Sequence, residues 1–210
     1  MIKLGLFPLN LVLFPEALYP LHIFEERYKT LIQECYKSGM EFGINYAKNA
    51  GINQSGCTAM VKEILKTYPD GKMDIIIRGI SRFRILKLIE GEKPYFTAEV
   101  ETYADDDFDT DKLLIEEASR LFNNIIEGIT SVKIDKINPD DIKVKYPSFL
   151  IAQKAGLSPE QKQALIEIRS ENLRLESLIL HFRKVQPLIR RAEFIAAIVK
   201  NDGYLNPNQI

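Results

Sequence analysis

An α+β fold in two lobes is predicted by three features of this 210-residue chain: a hydrophobic period that changes near residue 105, a cluster of five aspartates at that change, and one amphipathic helix set among alternating segments. Before residue 105 apolar and polar residues alternate, as in half-buried strands. After it apolar residues recur every three or four positions, as on helices packed by one face. The predicted domains are a β-rich lobe over residues 1–104, an acidic linker over 105–111, and an all-helical lobe with a C-terminal tail over 112–210.

The chain opens with apolar runs punctuated by Pro8, Pro15 and Pro20, which lead into a helix predicted over residues 24–37. Phe24, Tyr28, Leu31, Ile32 and Cys35 share one face of it, Glu25, Glu26, Lys29 and Gln33 lie elsewhere, and Gly39 is placed to stop it. Met73, Ile75 and Ile77 set against Asp74 and Arg78 predict a strand, as do Phe96, Ala98 and Val100 set against Thr97, Glu99 and Glu101. Pro69-Asp70-Gly71 reads as a hairpin turn, with Gly71 supplying a positive φ.

In Asp105 to Asp111 the like charges repel and aspartate starts helices, so a solvated linker is expected. A calcium loop counted from Asp105 needs glycine at its sixth position, where Thr110 stands. Beyond it Leu114, Ala118, Leu121 and Ile125 form a helical stripe, and residues 130–147 read as an extended polar connection broken at Asn138-Pro139 and Tyr146-Pro147. Ser158-Pro159-Glu160-Gln161 is a capping box with proline at the first helical position. Leu175, Leu178, Phe182 and Val185 mark a third helix, which Pro187 is expected to kink or end. Leu188, Ala192, Ile195 and Val199, flanked by Arg190, Arg191 and Lys200, then form a stripe that either packs back on the bundle or joins two copies as a homodimer.

A hydrophobic content of 46% with 27% charged residues suits a chain that buries a core, and a formal net charge of −1 supplies no overall attraction for nucleic acid or an anionic membrane. No apolar run approaches the roughly 20 residues that span a bilayer, and the start MIKLGLFPLN lacks the pattern of a signal peptide. Cys35 and Cys57 form no CxxC pair, and only His22 and His181 could supplement them. No metal site and no cofactor are therefore expected, and the thiols read as free in a reducing cytoplasm.

Residues 7–28, FPLNLVLFPEALYPLHIFEERY, resemble the opening of the Lon protease N-terminal domain. The resemblance continues through residues 56–87, GCTAMVKEILKTYPDGKMDIIIRGISRFRILK, and through SFLIAQKAGLSPEQKQALIE and the Leu-rich helix after it, covering residues 4–186. It implies a PUA-like β pseudobarrel followed by a helical lobe, the division that the period change marks independently. It also implies a noncatalytic substrate-recognition module that stands alone. The one Gly-Lys pair, Gly71-Lys72, precedes Met73 and lies in the predicted turn, so it is no phosphate-binding loop. The family's Ser-Lys peptidase domain finds no counterpart. The partners so implied are unfolded or degron-bearing polypeptides, with a separate ATPase or protease if the chain acts as an adaptor.

Such a module binds through an apolar groove or by adding a peptide strand to an open sheet edge. Phe14, Leu18 and Tyr19, in a proline-bounded loop, are the candidate peptide contacts, with plugging of the barrel as their alternative role. Glu25, Arg27 and Arg82 are candidates for an ion pair that orients the first helix on the sheet; the catalytic alternative makes Glu25 or Glu26 a general base, and no catalytic residue is assigned. RNA binding is the alternative function, resting on related folds and on Arg78, Arg82, Arg84 and Lys87. Phe83 takes the opposite face of its strand from Arg82 and Arg84 and so does not supply a stacking ring beside them. His22 and His181 read as structural histidines.

Overall fold

The computed structural model describes residues 2–48, 51–89, 91, 93–107, 109–129 and 134–200, apart from the side chains of residues 194 and 197–200. Its strands are β1 (Ile2–Leu9), β2 (Leu18–Ile23), β3 (Phe42–Lys48), β4 (Gly51–Thr67), β5 (Met73–Ile89) and β6 (Phe96–Tyr103). Its helices are α1 (Glu26–Ser38), α2 (Lys112–Glu127), α3 (Pro147–Lys154), α4 (Pro159–Glu167) and α5 (Glu171–Lys200).

The sheet runs β2-β5-β4-β3-β1-β6, and β5 also pairs with β6. That last pairing closes five strands into a pseudobarrel and leaves β2 outside it, against the first half of β5. Among the described residues only β1 and β3 run parallel. Closure depends on β4 and β5, 17 residues each, which reach from the barrel into the β2 region and bend at bulges near Cys57, Val61 and Ile64. Leu4, Leu6, Phe83, Ala98 and Val100 form one buried cluster, and Met73, Ile75 and Ile77 are buried in the predicted alternation. Gly71 turns the β4–β5 hairpin at φ 78°. α1 buries Tyr28, Leu31, Ile32 and Cys35 and ends on left-handed Gly39, whose N–H donates to Cys35 O.

Two compact units result: residues 1–108 with 152–170, and residues 109–151 with 171–210. The second differs from the expected lobe over 112–210, because residues 152–170 are tied to the strands. Gln163 Nε2 donates to Ser55 O at 3.2 Å, and Arg82 Nη1 donates to Ile166 O at 3.2 Å and to Ile168 O at 2.7 Å. The aspartate run is solvated in part, with Asp106, Asp109 and Asp111 exposed, and is tied down at its start. Asp105 is buried and ion-paired with Arg82, Asp106 pairs with Arg169 at 2.6 Å, and Asp107 accepts from Ser170 Oγ at 2.6 Å. A guanidinium desolvated beside the barrel demands a carboxylate, and the run supplies it. Asp111 keeps the expected helix-start role, accepting from Leu113 N–H at the head of α2.

In the second unit α2 and α5 meet through Phe122 and Phe182, ring centroids 6.0 Å apart. Ser148 donates through N–H and Oγ to Glu171, which also holds Arg174 at 2.5 Å, all three buried. Tyr146-Pro147, expected as a breaker, opens α3, since proline suits the first helical position. Likewise α5 runs through Pro187, exposed on its surface, where water can satisfy the carbonyl that the missing N–H leaves. The capping box of α4 forms as read, Ser158 Oγ accepting from Gln161 N–H while Gln161 Oε1 accepts from Ser158 N–H.

Candidate functional site

The site begins at a loop that a glycine allows to lie on β5. A Cβ on Gly79 would stand 2.1 Å from Phe14 O, so no larger residue fits without displacing the loop. Gly79 N–H donates to Ala17 O and Glu16 N–H to Gly79 O, both at 2.9 Å. Glu16 takes the left-handed conformation at φ 65°, and its carboxylate pairs with Arg78. Phe14 is 1% exposed. It is therefore buried and not a surface contact.

The Gly79 bonds fix the phase of the β2–β5 ladder. Gly79, Ile77 and Ile75 direct their backbone groups toward β2, where Tyr19 and Leu21 stand opposite Ile77 and Ile75. Leu18, Pro20 and His22 alternate with them, so their backbone groups face the open edge. Pro20, with no N–H to give, sits where β5 asks for none. Leu18 and Tyr19, expected in a loop, are thus on an edge strand, 49% and 42% exposed, and Phe24 just beyond it is 58% exposed. Apolar area of this kind beside open backbone groups is what strand addition uses.

A polar support lies beneath the same edge. His22 Nδ1 is 2.6 Å from Asp74 Oδ1, and Tyr68 OH donates to Asp74 Oδ2 at 2.8 Å. These bonds, His22 first, hold the Asp74 carboxyl below its ordinary pKa. Phe24 stacks on His22 at 6.1 Å, and Lys66 Nζ lies 4.3 Å from the Tyr68 ring centroid. His22, half-exposed, is held by its bond to Asp74. Its partner went unforeseen because only the β2–β5 register sets His22 opposite Asp74.

The three ion-pair candidates separate. Arg27 Nη2 meets Glu25 Oε2 at 2.8 Å with both side chains about two-fifths exposed, and its guanidinium lies 4.6 Å from the ring centroid of Tyr28, which stacks on Phe7 at 3.9 Å. Arg82 is not joined to them; its partner is Asp105, with the Tyr103 ring centroid 4.8 Å away. The outward side of the barrel that strand parity assigns to Arg82 is covered by residues 166–168, so both Arg82 and Phe83 are buried. Of the cations considered for RNA, Arg78 is paired with Glu16 and Arg82 is buried, while Arg84 and Lys87 are exposed.

Elsewhere in this unit a groove of about 310 Å³ is lined by Ile2, Leu4, Met40, Thr58 and Val100. A more polar hollow of about 540 Å³ holds Tyr46, Lys48 and Glu160. Glu160 accepts from Lys48 Nζ at 2.5 Å and Tyr46 OH at 2.9 Å; bonding to Lys48, its own helix N-terminus, Tyr46 and Ser158 brings its pKa down to about 2. Burial pushes the Cys35 thiol up to about 11 and the Cys57 thiol higher, which suits neither to nucleophilic attack. Among the described residues no group of three His, Cys, Asp or Glu side chains could hold a metal ion, and no helix is long and apolar enough to cross a membrane.

Residues 3–184 match the family model described as the ATP-dependent protease La (LON) substrate-binding domain. Lon protease 1 of Hydrogenovibrio crunogenus is 24% identical over 207 residues, covering 91% of this chain and 25% of that protein. The Lon protease of Flavobacterium johnsoniae is 27% identical over 189 residues, 80% of this chain and 22% of the relative. The chain thus spans about a quarter of the length of these curated relatives. In fold it is similar to the Lon N-terminal domain protein of Xanthomonas campestris (TM-score 0.66, 24% identity, 86% of this chain and 98% of that one). It is also similar to the N-terminal domain of the Mycobacterium avium complex Lon protease (TM-score 0.63, 18% identity, 87% and 98%). By the extent of the family match, this chain belongs to the Lon substrate-binding domain family.

Proposed function

We propose that the protein recognises polypeptide segments in unfolded or degron-bearing chains and performs no catalysis itself. The open edge of β2, with Leu18, Tyr19 and Phe24 exposed beside it, is the observation that carries this reading. A bound segment would take N–H groups from Leu18 and His22 and offer donors to the outward carbonyls of Leu18, Pro20 and His22. Pro20 interrupts the donor row, which limits uncontrolled sheet extension while leaving a short peptide its contacts. Family membership supports an adaptor role in which a separate ATPase or protease receives the captured chain, and the two buried free thiols suit a cytoplasmic setting.

Fluorescence anisotropy with an unfolded apolar-rich polypeptide and with single-stranded RNA, each at about 50 and 200 mM salt, tests the proposal, since phosphate-driven binding weakens steeply over that range. Saturable polypeptide binding that tolerates salt is expected. RNA binding with a steep salt slope and no polypeptide binding would replace it with the RNA reading, carried by exposed Arg84 and Lys87.

A further inference from the structure

The open edge of β2 is uneven along its length, and its unevenness sets what can pair with it. Leu18 and His22 each turn an N–H and a C=O to the open side, whereas Pro20 between them turns a C=O alone. Among the described residues β2 pairs with β5 alone, and no turn or loop bond takes up these groups. A chain laid along the edge must therefore offer an N–H at every second residue, to meet the carbonyls of Leu18, Pro20 and His22. The residues between them turn their backbone groups to solvent, so proline is tolerated there and nowhere else in the paired stretch.

The two faces of the edge differ as well. Leu18, Pro20 and His22 share their face with Arg78, Ile76 and Asp74, and Phe24 stacks on His22. This face carries the Arg78–Glu16 and His22–Asp74 pairs, and a polar side chain added to it keeps its water. Tyr19 and Leu21 stand on the other face, in line with Ile77 and Ile75, both 0% exposed. A side chain placed beyond them prolongs the buried row of the sheet, so an apolar one gains and a charged one loses. Direction decides which residues fall there. In an antiparallel pair the residues that bond to Leu18, Pro20 and His22 stand opposite them and share their polar face; in a parallel pair they are displaced by one residue and fall on the apolar face. Antiparallel pairing is the stronger per residue, and it is how β2 itself lies on β5.

We infer that β2 captures amphipathic β-strand segments running antiparallel to it, in which apolar residues that need no N–H, proline among them, alternate with residues whose N–H is required and whose side chain is free to be polar. The inference rests on the edge of β2 being the recognition surface proposed above. Segments of this pattern pack one face into a sheet's core when folded, so unfolding is what presents them. Pro20 sets how tightly they are held, because the carbonyl of the residue opposite it receives no donor.

The probe is a labelled peptide of about nine residues, long enough to cover β2, in which valine alternates with threonine between terminal lysines; its binding is read by fluorescence anisotropy beside that of an unfolded protein. Single N-methyl groups should weaken binding about ten-fold at threonine positions and less than about two-fold at valine positions, while single glutamates should be rejected at valine and accepted at threonine positions. Pro20→Ala, which returns an N–H to the edge, should tighten binding about five-fold. N-methyl groups and glutamates damaging at the same positions would overturn the antiparallel arrangement. Indifference to N-methylation, unchanged affinity in Pro20→Ala, or binding of the unfolded protein without the peptide would overturn the inference and leave polypeptide recognition to another surface. Binding of neither ligand would remove the inference together with the reading it rests on.

Discussion

The two halves of β5 are built from similar residues and placed in different surroundings. Its second half, from Arg82, lies in the closed barrel between β4 and β6; its first half, Met73–Arg78, lies between β4 and the edge strand β2. Arg82 and Arg78 stand four residues apart and each pairs with a carboxylate. The Arg82–Asp105 side chains are 1% and 5% exposed, the Arg78–Glu16 side chains 50% and 43%. Burial makes the first pair a structural necessity, because a charge left alone there has no water to turn to, while solvent screens the second. The lesson is that one strand both completes a core and carries an adaptable surface, with Gly79 at the change.

That contrast can be broken in order of expected effect. Arg82→Ala should remove about 3–5 kcal/mol of unfolding free energy by leaving Asp105 buried without its guanidinium, whereas Arg78→Ala should change it by less than about 1 kcal/mol; urea denaturation of both variants reads the difference. Phe14→Ala should cost about 3–5 kcal/mol by leaving a cavity where the ring is buried, while Tyr19→Ala, on the open edge, should stay within about 0.5 kcal/mol and weaken polypeptide binding instead. Gly79→Ala sharpens the comparison at its midpoint. Its Cβ must displace Phe14 O, so a loss of about 1–3 kcal/mol is expected together with weaker polypeptide binding, since the loop that sets β2 moves.

The smallest effect is one of pH. Glu160 holds its proton less tightly in the fold than in the unfolded chain, and so does Asp74. Their contribution is thus present above the ordinary carboxylate range and lost as pH falls through it toward about 2. Glu160→Gln should lower the melting temperature near neutrality and flatten the acid limb, so that the two profiles converge toward about pH 2; an unchanged profile would show that its bonds to Lys48 and Tyr46 contribute nothing to stability.

Much of the fold was legible because its signals are local. Alternation marked Met73, Ile75 and Ile77, turn chemistry marked Gly71, and Ser158 with Gln161 announced α4. What escaped was set by register and tertiary packing. Nothing near Arg82 in sequence says that residues 166–168 cover it, and the aspartates read as a linker because their partners Arg169 and Ser170 lie some 60 residues on. Two of the three peptide-contact candidates, Leu18 and Tyr19, are exposed. The buried one, Phe14, belongs to the loop that Gly79 admits against β5, a packing that its composition does not announce.

Backbone amide hydrogen exchange with and without a bound unfolded polypeptide tests recognition along β2 most directly. The phase of the ladder predicts slower exchange at Leu18 and His22, whose N–H groups face the open edge, and little change at Leu21, whose N–H faces β5. Slowing confined to the groove around Ile2 and Met40, with Leu18 and His22 unaltered, would contradict the assignment and move the binding surface there.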